Sequence, residues 1–252
     1  MKVKFVNADE MKKEMRVAGW MASVSTDTEA DQMKIAEHCA KSGHGTPFRA
    51  TRFVFEVSEV SRVLSHELVR HEIGLAKVQR SQRYVKEDGF KYVTPKGIMD
   101  IRVLVSVPII DVDGVETFKA ETWLNFDQFQ DIVKQMYNGY TEQGAKAEDA
   151  RYALTNATFT KLHLSFDLEA LQQFCYRRCC TRAQWEIREL ADVLKYFVVQ
   201  ELPVLEPLLG APCQIHGYCP EVKGCGRAPS KQKMKEMYEL AVKSLEKAEK
   251  VE

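Results

Sequence analysis

The sequence predicts one α+β domain over residues 1–252, built on a central, mostly antiparallel sheet flanked by helices, with a charged helix over 228–252. Three observations predict it. Strand-like and helix-like segments are interspersed from one end of the chain to the other. Hydrophobic residues make up 45% of the 252, enough for a sizeable core at a length between one and two domains of ~150 residues. No internal repeat, low-complexity tract or clean linker divides the chain.

The elements follow in order. Val3 to Val6 reads as a short strand, and Met11, Met15, Val17, Ala18 and Met21 keep helical spacing. A second helix runs from about Ala30 to Lys41, before the glycines and proline of 42–48 break the chain. Phe53, Phe55 and Val57 alternate with polar or smaller residues, as in a half-buried strand. Ser58 or Ser61 then caps a helix carrying Val60, Val63, Leu64 and Leu68, which stops near Gly74. A basic stretch from Lys77 to Lys91 leads to an apolar run at 101–112, read as a strand, and to a turn at Asp113-Gly114. A long helix is expected from about Thr117 to Gln143 and a shorter one around Ala145 to Leu154. A strand near Thr158 to Leu164 and a helix marked by Leu168, Leu171 and Phe174 come next. Ala183, Ile187, Leu190, Leu194 and Phe197 share one face of a helix from about Arg182 to Gln200. Prolines and glycines from Pro203 to Gly226 make a long loop, and a helix from about Ser230 to Val251 closes the chain.

Composition excludes several classes. Lys+Arg at 36 balances Asp+Glu at 36, so the chain lacks the positive field that non-specific nucleic-acid or anionic-membrane binding needs. The N-terminal stretch lacks the apolar core of a signal peptide, and no run approaches the ~20 apolar residues of a membrane span, so a cytoplasmic location is expected. The seven cysteines are odd in number and six lie in the last third, unlike a secreted disulfide framework. Cys213, Cys219 and Cys225, with His216 and Cys179 or Cys180, have the residue types of a zinc site without its tight C-x2-C pairs. Structural thiols, a redox role and metal binding stay open for them, and no metal is expected.

Two segments carry candidate chemistry. In LVRHEIGLAKVQRSQRY, residues 68–84, Arg70, Lys77, Arg80 and Arg83 supply cations and Ser81 and Gln82 neutral donors, a set suited to phosphate oxygens or to a solvated loop. In YRRCCTRAQWEIR, residues 176–188, Arg178, Arg182 and Arg188 accompany Gln184 and Glu186, where Arg182 and Glu186 are spaced as an i,i+4 surface pair.

With HGTPF upstream, the order HGTPF, SRVLSHELVRH, SQRY, AEDAR and RAQWEIR resembles the flavin-dependent thymidylate synthases over about residues 35–227. The hallmark of that family, Arg-His-Arg followed by Ser-x-Arg, appears here as Arg70-His71-Glu72 and then Ser81-Gln82-Arg83, with Glu72 in place of the second arginine.

The resemblance implies reductive methylation of dUMP to dTMP, with 5,10-methylenetetrahydrofolate supplying the carbon, reduced FAD the hydride, and NADPH reducing the flavin. It also implies a homotetramer with shared active sites. Uracil C5 is a weak nucleophile unless charge is pushed onto the ring, and the family's activating arginine, which favours N3-ionised uracil, corresponds to Arg178. Ser81, Gln82 and Arg83 would hold the phosphate, with Arg151, 27 residues before Arg178, as a further nucleotide contact. Arg70 belongs to both ligand sets. Glu67 stands where a glutamine is expected and can accept but not donate. His44, Thr46, Arg70, His71 and Gln79 match flavin positions. Asp167, Glu169 and Gln173 replace the family's Asn-x-Arg and amide. Carboxylates at 72 and 169 are unfavourable beside a pyrophosphate unless Arg49, Arg52, Lys77 or Arg177 compensates.

Two other readings follow from the same residues. Glu67, Glu72 and Glu169 suit flavin-dependent C5 alkylation of another pyrimidine nucleotide, either hydroxymethylation or methylation of UMP. Arg62, Arg80, Arg83 and Lys86 suit a non-catalytic nucleotide- or RNA-binding module.

Overall fold

The computed structural model describes residues 1–25, 30–110, 113, 114 and 116–249. The strands are β1 (Lys2–Phe5), β2 (Phe53–Ser61), β3 (Leu75–Gln79), β4 (Val103–Ile110), β5 (Glu116–Leu124) and β6 (Phe159–Phe166). The helices are α1 (Met11–Ala22), α2 (Gln32–Lys41), α3 (Arg62–Leu68), α4 (Phe126–Glu142), α5 (Ala147–Ala150), α6 (Leu168–Arg178), α7 (Trp185–Glu201), α8 (Pro212–His216) and α9 (Lys231–Glu249). One sheet has the order β1-β2-β6-β3 and β4 pairs with β5, so the α+β class stands. The chain divides into two compact units, the larger comprising residues 3–56, 67–78 and 163–252 and the smaller residues 1–2, 57–66 and 79–162.

In the larger unit, alternation in β1, β2 and β6 turns aromatic rings to one side. Phe5 stacks on Phe55 at 4.6 Å, Phe55 meets Phe166 edge-on at 6.4 Å, and Phe166 touches Phe174 of α6 at 5.4 Å. That chain of rings fixes α6 on the sheet. Asp167 starts α6 by accepting from the Ala170 amide at 2.7 Å, and Gln184 caps α7 through the amides of Glu186 and Ile187. One stripe of α7 buries Ile187, Leu190, Ala191, Leu194 and Val198. Helix α1 turns Met11, Met15 and Ala18 inward and lies so close to α2 that a Cβ on Gly19 would overlap the Gln32 backbone.

The smaller unit departs most from the sequence expectation. The helix expected from Thr117 is a strand up to Leu124, because ETFKAETWL is rich in β-branched and aromatic residues and pairs antiparallel with β4, Val105 opposite Thr122 and Leu104 opposite Trp123. Asn125 Oδ1 then accepts from the Gln128 amide while Gln128 Oε1 accepts from the Asn125 amide, a capping box that restarts the chain as α4. Tyr137 of α4 is fully buried and its hydroxyl accepts from the Glu87 amide at 2.9 Å.

Other boundaries differ less. β2 runs through Ser58 to Ser61, whose hydroxyl accepts from the Leu64 amide, and α3 ends at Leu68 rather than near Gly74. β3 overlaps the start of the basic stretch and is hidden in the sequence because Lys77 and Gln79 interrupt its apolar pattern. The 145–154 helix is only α5 followed by a single tight turn at Arg151–Ala153. The expected ends at 112 and Val251 lie outside the described residues.

Candidate functional site

Within the larger unit, the turn from Leu68 to Leu75 and the start of α6 border one cavity of about 500 Å³, in the range of small-molecule sites. Arg70, His71, Glu72, Asp167, Glu169 and Gln173 line it, so six of the expected flavin residues meet in one place. Arg49, Arg177 and three apolar side chains, Ile73, Leu75 and Ala170, complete the wall. His44 and Thr46 are exposed and do not line it, though the intervening Gly45 would place a Cβ 3.8 Å from the Glu169 carboxyl carbon.

The charge problem at 169 has a local solution. Arg49 donates to Glu169 at 2.6 Å, and this hydrogen bond together with the paired charge holds the Glu169 carboxyl below its ordinary range. Asp167 is spent on the α6 amide. Glu72 is exposed. Among the described residues Arg70 and Arg177 have no acidic partner, which leaves two guanidiniums for an anion. Arg70 and Arg177, with Gln173 as a neutral neighbour, make this lining suited to an anionic ligand.

Beside the cavity, Arg178 at the end of α6 is gripped from two sides. Its Nη1 donates to Glu67 Oε2 at 2.7 Å, Nη2 to the Glu67 carbonyl at 3.1 Å, and Nε to His71 Nε2 at 2.9 Å. Only 14% of the Arg178 side chain is exposed. Because His71 accepts at Nε2, it is neutral, and burial followed by the charges of Arg178, Arg177 and Lys77 lowers its pKa from 6.5 to about 4. Phe174 meets its ring edge-on at 5.0 Å and Lys77 donates to its carbonyl, so the imidazole is fixed in place.

The expected phosphate residues belong to the smaller unit. Arg83 Nε donates to Glu148 Oε2 at 2.9 Å and Arg151 Nε to the Glu148 carbonyl at 3.0 Å, so both converge on one residue of α5. Ser81 Oγ accepts from the Arg83 amide at 3.2 Å. Gln82 is only 6% exposed, yet its Nε2 has no partner among the described residues. The Nη1 of Arg62 is likewise buried without one. Each unmatched buried donor costs free energy. Gln79 instead donates to Ser65 and Thr160, both at 3.1 Å.

Comparison with known proteins decides what this arrangement belongs to. The family model described as thymidylate synthase complementing protein matches residues 6–204. A flavin-dependent thymidylate synthase of Nitratidesulfovibrio vulgaris is 38% identical over 204 residues, covering 77% of this chain and 76% of that one. One from Clostridium tetani is 36% identical over 203 residues, covering 76% of each, and one from Thermococcus onnurineus is 29% identical over 94% of this chain and 97% of its own. The chain belongs to the flavin-dependent thymidylate synthase family.

Membership makes the chain an enzyme of a methyltransferase family and sets aside the RNA-binding module. Sequence reasoning named Arg62 only for a nucleotide- or RNA-binding module and did not single out Glu148, which became visible only through the two arginines that share it. Arg182 donates to Glu221 at 2.5 Å and Glu186 is buried in the first turn of α7 rather than on a surface face. All seven cysteines are free thiols, with Cys175 and Cys179 buried; their hydrogen bond and burial push the Cys179 thiol up. No helix among the described residues is long and apolar enough to cross a membrane.

Proposed function

We propose that this member of the flavin-dependent thymidylate synthase family converts dUMP to dTMP, taking the carbon from 5,10-methylenetetrahydrofolate and the reducing equivalents from FAD reduced by NADPH. The observation that carries the reading is Arg178, largely buried and fixed by Glu67 and His71. A guanidinium offers five N–H donors, and three are engaged here. The remaining two serve the uracil ring as negative charge develops on it, the kind of preorganised stabilisation that lowers barriers most.

Ser81, Gln82, Arg83 and Arg151 bind the phosphate, Glu67 and Arg70 assist at the nucleotide, and Arg178 is the catalytic residue. His44, Thr46, Arg70, His71, Glu72, Gln79, Asp167, Glu169 and Gln173 form the flavin environment. Bound FAD supplies hydride chemistry that no side chain here provides. The enzyme works in the cytoplasm as a homotetramer, so residues from different copies of the chain meet at each site.

The test is an absorption spectrum of the purified protein with an assay of dUMP-dependent tritium release from C5. A flavin spectrum bleached by NADPH together with tritium release is expected; a colourless protein that neither takes up FAD nor releases tritium overturns the reading. One observation favours a second reading, C5 alkylation of another pyrimidine nucleotide by hydroxymethylation or methylation of UMP: the carboxylate of Glu67 sits on Arg178. Mass spectrometry of the products from dUMP, UMP and dCMP separates the two.

A further inference from the structure

Another cavity of the larger unit, about 290 Å³, lies between the end of α6 and the segment from Pro212 to Glu221. Three thiols, Cys180, Cys213 and Cys219, line it together with Arg177, Arg178 and Arg182. All three are half-buried, whereas Cys175 and Cys179 are buried. None of these thiols has a part in the proposed flavin reaction. Arg178 is occupied by Glu67 and Arg182 by Glu221, so Arg177 is the guanidinium of this wall without an acidic partner among the described residues.

The loop from Cys219 to Ser230 brings a fourth thiol to the rim. The Cys219 amide closes its base by donating to the Pro229 carbonyl at 2.7 Å, and Arg227 ties it to the end of α6 by donating to the Cys179 carbonyl at 3.2 Å. Within the loop Cys225 is exposed, and its sulfur bonds to Thr181, which stands between the wall residues Cys180 and Arg182. Hydrogen bonds from the Thr181 hydroxyl and the Arg227 amide, then the Arg227 charge, hold the Cys225 thiol below its ordinary range, the surroundings that make a cysteine an attacking group. Across the loop, the Cys219 sulfur is 3.2 Å from where a Cβ on Gly224 would sit, so it faces the residue next to Cys225.

We propose that this cavity is a thiol–disulfide exchange site for a small disulfide bearing carboxylates, with Cys225 attacking and Cys219 resolving. The Cys225 thiolate attacks one sulfur of the incoming disulfide and its S–S bond breaks; a mixed disulfide forms and the other half leaves as a thiolate. Cys219 gives up its proton and attacks the Cys225 sulfur, which joins residues 219 and 225 and releases the second half. Two protein thiols are oxidised and one small disulfide is reduced to two thiols, so no further oxidant enters. Arg177 receives a carboxylate of the visitor. Arg178 borders the same space, so the exchange takes place against the guanidinium proposed for the nucleotide base.

The experiment treats the reduced full-length protein, freed of reductant, with oxidised glutathione and reads its intact mass and its linked peptides; neither flavin nor nucleotide enters the measurement. Wild-type protein should lose two hydrogens and show residues 219 and 225 joined. Cys219→Ser should stop at the first step and carry one glutathione on Cys225, and Cys225→Ser should do neither, each variant being folded by circular dichroism. Arg177→Gln should slow the reaction with oxidised glutathione about threefold or more, the scale of an exposed ion pair, and react with the uncharged bis(2-hydroxyethyl) disulfide at the wild-type rate. Seven free thiols in the treated wild type, a different joined pair, or a Cys219→Ser protein without glutathione on Cys225 overturns the exchange. An Arg177→Gln effect that is absent, or equal for both reagents, overturns the docking in this cavity.

Discussion

Arg49 and Glu169 meet at 2.6 Å although 120 positions separate them in sequence. The pair brings the 46–50 turn to the start of α6 and removes a bare carboxylate from the wall of the cavity. The two side chains are 62% and 38% exposed, so the bond adds little to folding stability and matters for what the cavity admits.

Arg49→Ala should therefore lower FAD affinity about tenfold, because Glu169 then faces the anionic ligand alone. Glu169→Gln in the same background should recover most of the loss. Flavin titration by fluorescence quenching reads both, and an unchanged affinity in Arg49→Ala places the pyrophosphate away from this wall.

Arg178→Ala should reduce turnover by ~10²- to 10³-fold, the range seen when one preorganised donor is removed. The flavin should stay bound, since the free cavity cations are Arg70 and Arg177. Turnover within a few-fold of wild type removes the role assigned to Arg178.

His71 makes folding stability depend on pH. Its pKa falls from 6.5 to about 4 in the fold, chiefly through burial, so over that interval the unfolded chain takes up a proton that the folded chain refuses. Its contribution is complete above about pH 6.5 and is lost as the pH falls to about 4. The thermal midpoint of His71→Gln should decline less steeply than wild type over that window; parallel curves would mean the imidazole is not held neutral.

Gly74→Ala tests the turn that shapes the cavity. Gly74 has φ +72°, and a Cβ there would overlap the Asp167 carboxylate that caps α6. Strain at φ plus loss of the cap should cost ~2 kcal/mol or more, read as a lower denaturant midpoint. A change below ~0.5 kcal/mol would show that the turn relaxes freely.

Much of the fold was legible wherever one period dominated. Met11, Met15 and Ala18 marked α1, and Ile187, Leu190 and Leu194 marked α7, because each buries a single stripe. The failure at 117–124 came from a ribbon whose two faces are both substantially exposed over 103–108 and 119–124, so no burial pattern separated strand from helix. The candidate site was legible as a set of motifs and opaque as a set of contacts. Glu169 read as a carboxylate needing one of four candidate cations and Glu67 as an acceptor without an assigned partner, because the partners that pair with them, Arg49 and Arg178, lie 120 and 111 positions away.

Glu148 has a kinetic consequence. Its carboxylate accepts from Arg83 and its carbonyl from Arg151, so on the proposed assignment an arriving phosphate competes with that carboxylate for Arg83. Much of the local attraction is thereby cancelled at long range, and low ionic strength would hasten encounter only modestly. The same carboxylate waits to return when the product loosens, which favours rapid exchange over tenacious retention.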